Sequence, residues 1–592
     1  MQALTGLDAS FLYLETPNSP MHVGGLAIIE GSLEFEAFRD ILKSRLHLIP
    51  SFTQRLVQVP LSLDYPYWID DPNFNLDWHL HHTALPEPGD WTQLRKLASR
   101  LFSQPLNRNR PLWEIVFVEG INNIPQVPPG SVAIISKVHH AAIDGMSGAD
   151  INNIIYDMTP EPRVFPQPTA KKIESVPSDI ELVRRSAVNF IKRPLKLPKL
   201  LLDTATSTVK AGFLTRVQSA PMPTLPFTAP KTILNGQVSA DRTWDTALLS
   251  LDRIKAIKNI IEGTTVNDVI LAACAGALRR YLKEKNALPE KPLVAMVPVS
   301  TRSQDEKNTM GNQVSSMFIP LATQIEDPIE RLKLIHEQTR SGKIVQKAVN
   351  AKSLVQYSEL IPFGLAGTAA RLYTRANLSK LHNPVFNLVI TNVPGPQVPI
   401  YLGGKQLLTS MGMAPVMDGM GLLITVLSYN GVVSLSPISS RNIMPDMNKF
   451  ARYLRESANE LEALVLASDE AKVAASKEVP LSDIAPMFQF MASYLAKNPD
   501  LKLPSSDIYQ FQITGEQAQN WVFDLQNTPA RIYEGAIEEA KCTLTMKDKH
   551  FAAMAAGKLK GTAAFMQGKM KVKGDVNAAI KFGKVLEMFP KG

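Results

Sequence analysis

Cysteine is scarce in this chain: 592 residues carry only Cys274 and Cys542, far apart in sequence. That excludes a disulfide framework and points to a reducing compartment. The opening residues, MQALTGLDASFLYLETP, lack the basic start and apolar core of a signal peptide. Charge is lacking over the 22 residues from Gly419 to Ser440, a stretch open to reading as a membrane span. Tyr429-Asn430-Gly431 sits in the middle of that run. Asn-Gly between apolar β-formers marks a hairpin, so the run reads as two buried strands and not as a membrane span. No G-x-S-x-G string is evident, and an acyl-enzyme nucleophile has no obvious carrier.

The composition that remains is globular. Hydrophobic residues make up 45% and charged residues 20%, and the length predicts two to four compact units. The net charge of +8 favours anionic partners such as phosphorylated cofactors or acidic membrane surfaces. Nucleic acid is not expected, because the charge is diffuse and no aromatic-interleaved basic motif occurs.

Residues 1–159 mix strands and helices. Ser131 to Val138 reads as a buried strand. Ile151, Ile154, Ile155 and Met158 recur afterwards at helical spacing. Residues 160–236 form a Pro-rich basic connector with one amphipathic helix near Ile180 to Ile191. Residues 237–467 make a second mixed segment. There Thr264-Thr265-Val266-Asn267-Asp268 leads into a helix with Ile270, Cys274, Ala277, Leu278 and Tyr281 on one stripe. Strands are expected at Leu293 to Val299, around Met317 to Leu321, and from Pro384 to Asn392. A polar, alanine-rich linker, 468–479, precedes an α+β unit at 480–592 with strands at Asp507 to Thr514 and Trp521 to Leu525.

The most informative string is His139-His140-Ala-Ala-Ile-Asp144-Gly145. A base for an alcohol nucleophile should titrate near neutral pH, as imidazole does, and needs a fixed ring. A nearby carboxylate can hold the ring or its loop. Gly145 permits a turn that a Cβ would obstruct. A His/His/Asp set can also bind metal, but the ten histidines form no third convincing ligand cluster. No metal is expected.

HHAAIDG matches in full the HHxxxDG motif of the CoA-dependent acyltransferase superfamily. Leu7-Asp8-Ala9-Ser10-Phe11, Pro20-Met21-His22-Val23-Gly24 and Pro111-Leu112-Trp113-Glu114 precede it, and Asn267-Asp268 and Asn392-Val-Pro-Gly-Pro396 come after it. Together they resemble the bacterial wax ester synthase/diacylglycerol acyltransferase family over residues 1–466. The resemblance implies an α/β fold of two similar lobes with mixed sheets and an active site in a tunnel between them. It implies CoA entering from one side and the alcohol from the other. His140 would be the base, His139 would support the loop or line the site, and Asp144 would hold the loop. Asn267 and Asp268 would brace the site from the second lobe, although Asp268 reads equally well as a first-turn helix acid. Pro111, Leu112 and Trp113 would lie near the tunnel, or Trp113 would be an ordinary core aromatic.

Residues 480–592 resemble the sterol-carrier-protein type 2 domain through Cys542-Thr-Leu-Thr-Met546, Phe551 with Gly557-Lys558-Leu559, Phe565-Met566-Gln567-Gly568-Lys569 and Val572-Lys573-Gly574-Asp575. Leu559, Phe565 and Met566 would line its lipid tunnel or form plain core. The implied activity is transfer of a fatty acyl group from acyl-CoA, a substrate and not a cofactor, to a fatty alcohol or diacylglycerol. The implied place is the cytoplasm, with peripheral contact at a membrane or lipid inclusion. Two other readings share these features: a condensation-like HHxxxDG enzyme, and a lipid-transfer protein without catalysis.

Overall fold

The computed structural model describes residues 2–143, 148–166, 177–192, 227–259, 261–300, 314–348, 382–475 and 484–497. It also describes 503–585 apart from 504, 516–517, 528–529, 538, 556–563, 566–568, 576–577, 579–581 and 583–584. The chain divides into two compact units, Met1–Leu466 and Ala467–Gly592.

The first unit is built on two mixed sheets. One has the order Tyr401–Leu402, Lys405–Met413, His22–Ile29, Ser131–His139, Trp113–Ile121, Leu80–Ala84. The other has the order Val314–Pro320, Val294–Ser300, Leu388–Pro394, Leu422–Tyr429, Val432–Ser440, Arg242–Trp244, with Ala247–Ser250 also paired to Val432–Ser440. A small sheet joins Gln2–Ala3, Tyr67–Asp70 and Gln54–Val57. Leu26, Ile28, Val118 and Ile135 of the first sheet pack in one core with Trp244, Val389, Leu423 and Ile438 of the second. Each large side chain buried there contributes about 1.5–3 kcal/mol.

The lobes are interwoven and not consecutive. Lys405–Met413 comes from the second segment of the sequence, yet it pairs antiparallel with His22–Ile29 in the first sheet. Small residues make that closure possible. A Cβ on Gly24 would stand 1.8 Å from the Ser136 carbonyl oxygen, and one on Gly25 would stand 2.3 Å from that of Met411. The glycines after His22-Val23 therefore let three strands meet.

Local rules account for most element ends. Leu422–Tyr429 and Val432–Ser440 form the expected hairpin, with Asn430 at φ 43° and Gly431 at φ 79°. Both values suit a tight two-residue turn whose twist matches the strands. Val266–Glu284 starts on a capping box, in which Thr265 and Asp268 exchange side-chain and backbone hydrogen bonds. Its expected stripe is buried, and so is every residue from Asp268 to Leu278, because the helix is covered on all sides. Asp179–Lys192 supplies the connector helix.

Three expected boundaries move. The helix after the histidine motif is Gly148–Ile155, and Met158 lies beyond it, 60% exposed. It stops there because the Asp157 carboxylate accepts from the buried Arg45 at 2.7 Å and its backbone pairs with Tyr401. The Pro384 strand begins only at Leu388 and ends at Pro394. Just before it, Asn387 clamps Val294 through both its backbone N–H and its side-chain oxygen. Met447–Ala475 continues as helix into the expected linker at Ser468, in keeping with its Ala-, Glu- and Lys-rich composition.

The second unit is α+β. Its sheet runs Arg531–Glu534, Gln519–Asp524, Ile508–Thr514, Cys542–Lys547, Met570–Gly574. Helix Ile484–Lys497 inserts Phe488 against Trp521 and Phe551, with ring centroids at 4.7 and 4.6 Å.

Candidate active site

The strand Ser131–His139 ends in a single 3-10 turn, His140–Ile143. Two backbone bonds fix the start of that turn. The His139 N–H donates to the Leu112 carbonyl at 2.9 Å, and the His140 N–H donates to that of Met21 at 2.8 Å. The helix Gly6–Leu14 packs on the turn, with Ala9, Leu12, Leu112, Ala141 and Ala142 in one buried cluster. Its Phe11 ring stacks on the His140 imidazole, centroids 3.7 Å apart and planes 11° apart.

The two histidines differ in their surroundings. His139 is fully buried, and its Nδ1 accepts from the Ala141 N–H at 3.1 Å. Its Nε2 faces the Glu15 carboxylate at 3.7 Å. His140 is half-buried, and its Nδ1 has no hydrogen-bond partner among the described residues. Burial pushes the His140 imidazole down to about 4, with its own backbone carbonyl opposing the shift and His139 adding to it. His140 is thus neutral at physiological pH and retains an uncommitted nitrogen. That is the state a general base needs.

Glu15 and His22 complete the surroundings, and neither was singled out in the sequence as a site residue. Glu15 accepts from the Met21 N–H at 3.1 Å and from Arg108 Nε at 2.7 Å. Burial pushes its carboxyl up, but the His139 ring and the Arg108 guanidinium outweigh that and hold it at about 2. His22 pairs directly with His139 across the strands, and its Nε2 lies 2.7 Å from the Phe102 carbonyl oxygen. Burial, with Lys137 nearby, pushes His22 down to about 3 against that carbonyl. His22, like Phe11, belongs to one of the N-terminal strings, whereas Glu15 lies between the two strings and carried no such signal.

Most of the other expected site residues separate from the histidine turn. Asp144 and Gly145 lie outside the described residues. Pro111, Leu112 and Trp113 are buried; of these, Leu112 stays with the histidine turn, through its carbonyl on the His139 N–H and its packing on Ala141 and Ala142. The Trp113 indole N–H donates to the Phe52 carbonyl at 2.8 Å, and the ring lies between Phe52 and His79. Asp268 is buried in its capping box, accepts from the Thr339 hydroxyl at 2.6 Å and faces His336 Nδ1 at 3.1 Å. Asn267 accepts from Asn392 at 3.3 Å, which ties two of the sequence strings together. No hydrogen bond among the described residues links Asn267 or Asp268 to His139 or His140. In the C-terminal unit Phe565 is 44% exposed, while Leu559 and Met566 lie outside the described residues. Among the described residues no group of three His, Cys, Asp or Glu side chains is placed to hold a metal ion.

Comparison with known proteins identifies the family. Residues 4–270 match the wax ester synthase/diacylglycerol acyltransferase catalytic domain, and 310–462 match the WS/DGAT C-terminal domain. Residues 490–587 match the SCP-2 sterol transfer family. A Mycobacterium tuberculosis protein named as a probable diacylglycerol O-acyltransferase, tgs2, is 34% identical over 77% of this chain and 98% of its own length. The O-acyltransferase WSD of Acinetobacter baylyi is 31% identical over 80% of this chain and all of its own. The solved wax ester synthase/diacylglycerol acyltransferase of Marinobacter aquaeolei is 29% identical, with a TM-score of 0.56 over 78% of this chain and all of that one.

Proposed function

The chain belongs to the wax ester synthase/diacylglycerol acyltransferase family and carries an SCP-2 domain at its C-terminus, and from that premise we propose how this acyltransferase works. It moves a fatty acyl group from acyl-CoA to the hydroxyl of a long-chain alcohol, of a diacylglycerol, or of both. His140 takes the hydroxyl proton as the oxygen attacks the thioester carbonyl carbon. The tetrahedral oxyanion collapses, the C–S bond breaks, and the imidazolium returns the proton to the CoA thiolate. The uncommitted, neutral His140 nitrogen at a braced turn carries this reading. Direct attack is favoured over an acyl-cysteine, because burial pushes the thiols of Cys274 and Cys542 up to about 12 and about 11.

His139 acts as a support: its Nδ1 is spent on the turn and its Nε2 faces Glu15. Asp144 holds the loop. The C-terminal domain binds an apolar lipid and does no chemistry.

Peripheral contact with an anionic lipid surface is favoured by the helix Asp179–Lys192. It exposes Ile180 and Val183 beside Arg184 and Arg185, while Leu182 is buried. The same stretch of sequence adds Lys171, Lys172, Lys192, Arg193, Lys196 and Lys199. Cations near such a surface contribute on the order of 1 kcal/mol each, reduced by salt.

The test is product analysis with labelled acyl-CoA, offering a long-chain alcohol and a diacylglycerol in competition. Labelled wax ester or triacylglycerol is the expected product, and their ratio defines the acceptor. Acyl-CoA binding without any ester product would leave only the lipid-carrier reading.

A further inference from the structure

A polar cup of about 260 Å³ lies between the small sheet and the edge of the first large one. Arg55 and Asp71 form one wall, Trp78 and Arg110 another, and the buried His79 contributes to the lining. Leu80–Ala84 runs parallel to Trp113–Ile121, which runs antiparallel to Ser131–His139. The starts of the first two strands and the end of the third therefore share one end of the sheet. That places the cup at the sheet end carrying the histidine turn, two strands across, or roughly 10 Å by strand spacing.

Charge accounting in the cup leaves one cation over. Arg55 Nε lies 3.6 Å from the Asp71 carboxylate. Asp77 is taken by Arg39 at 2.8 Å and Glu114 by Lys137 at 2.9 Å. The Arg110 guanidinium carbon lies over the Trp78 ring, 3.6 Å from its centroid, and the guanidinium makes no hydrogen bond or ion pair among the described residues. A cation–π contact holds a guanidinium in place while leaving N–H groups open, and such a fork can receive phosphate oxygens two at a time. The side-chain amide of exposed Asn109 adds another uncommitted donor at the rim. Nothing in the proposed acyl transfer uses these groups.

We propose that this cup binds a phosphate monoester, with Arg110 as its principal anchor, Arg55 and Asn109 as further donors, and Trp78 as the platform that holds Arg110. A phosphorylated nucleotide end such as that of CoA and a phosphorylated glycerolipid headgroup present the same chemistry.

The test titrates the full chain calorimetrically with adenosine 3′,5′-bisphosphate, dephospho-CoA and inorganic phosphate. In parallel it sediments the protein with phosphatidylcholine vesicles with and without phosphatidate. Charge-assisted hydrogen bonds of this kind are worth about 1.5–3 kcal/mol, so Arg110→Gln should weaken the bound probe roughly ten- to a hundredfold. Asn109→Asp, at an exposed position that leaves the core untouched, should weaken it too by placing a carboxylate at the rim. Preference for the bisphosphate over dephospho-CoA identifies a nucleotide source, and phosphatidate-dependent sedimentation identifies a lipid source. Equal affinity in wild type and both variants, or no binding of any phosphate probe, overturns the proposal. Acyl transfer is assayed separately, so turnover without phosphate binding would sink the cup alone, and binding without turnover would sink the acyl-transfer reading alone.

Discussion

The imidazole of His140 lies face to face with the phenyl ring of Phe11, centroids 3.7 Å apart and planes inclined by 11°. His140 is thus held from its backbone by the Met21 carbonyl and from one ring face by Phe11 of the N-terminal helix. Phe11 is a positioning residue in this account. An aromatic pair is worth about 0.5–1.5 kcal/mol, so Phe11→Ala should lower kcat roughly two- to tenfold. It should also admit water to the ring and move the acidic limb of the pH–rate profile upward, towards the ordinary imidazole value. Phe11→Tyr should restore both. A Phe11→Ala enzyme with slower turnover but an unmoved acidic limb would reduce Phe11 to a packing residue.

The pH profile of the wild type follows from burial. His140 is pushed down to about 4, so the base form predominates throughout the neutral range. Turnover should be flat between about pH 5.5 and 8 and fall only on further acidification. The charged or titratable group acting on the ring is His139, while Glu15 and Lys137 act on the neighbouring His22 and Glu15 faces His139. A rate that climbs through a single ionisation near ~6.5, the unperturbed imidazole value, would show that the ring is solvated in the working enzyme.

Stability should fall on acidification for a related reason. His22 titrates at about 3 in the fold and at the ordinary 6.5 when unfolded. Between those values the unfolded chain binds the extra proton, so stability is lost as pH falls through that window. Glu15, held at about 2 against an ordinary 4.5, adds its loss only at lower pH. One such group changes stability by about 1.4 kcal/mol per pH unit. His22→Gln should flatten the fall between about pH 6 and 5 by that amount, read from denaturant midpoints. Identical slopes in wild type and variant would remove His22 from the account.

The C-terminal unit should be dispensable for chemistry. Truncation after Ala475, where the long helix ends, leaves unit Met1–Leu466 whole, whereas a cut at Ala471 falls inside that helix. The truncated protein should keep turnover with detergent-dispersed substrates. Loss of all turnover in a truncation that melts cooperatively would give the SCP-2 domain a direct role.

Much of this was legible in the sequence, because local chemistry decided it. Asn430-Gly431 specified a turn that only positive φ satisfies, and Thr265 with Asp268 specified a helix start. HHAAIDG marked the turn after a buried strand. The interweaving of the lobes was not legible, since nothing local in Lys405–Met413 says which sheet it joins. Glu15 and Phe11 were hidden for the same reason. Their roles exist only once residues some 125 positions apart are brought together around the histidine turn. Asp268 was ambiguous in the sequence, and its observed bonds are to its own helix cap, Thr339 and His336.

The central claim is that His140, and not His139, handles the proton. Its most direct test is turnover of His140→Ala and His139→Ala measured beside acyl-CoA affinity and melting temperature. General-base catalysis contributes about 10²–10⁴-fold, so His140→Ala should lose roughly that much in kcat while acyl-CoA affinity and melting stay near wild type. His139→Ala should instead melt lower, because it unties the Ala141 N–H and exposes Glu15, with the folded fraction retaining activity. Near-wild-type turnover in His140→Ala, with turnover lost in a His139→Ala protein that melts normally, would contradict the account.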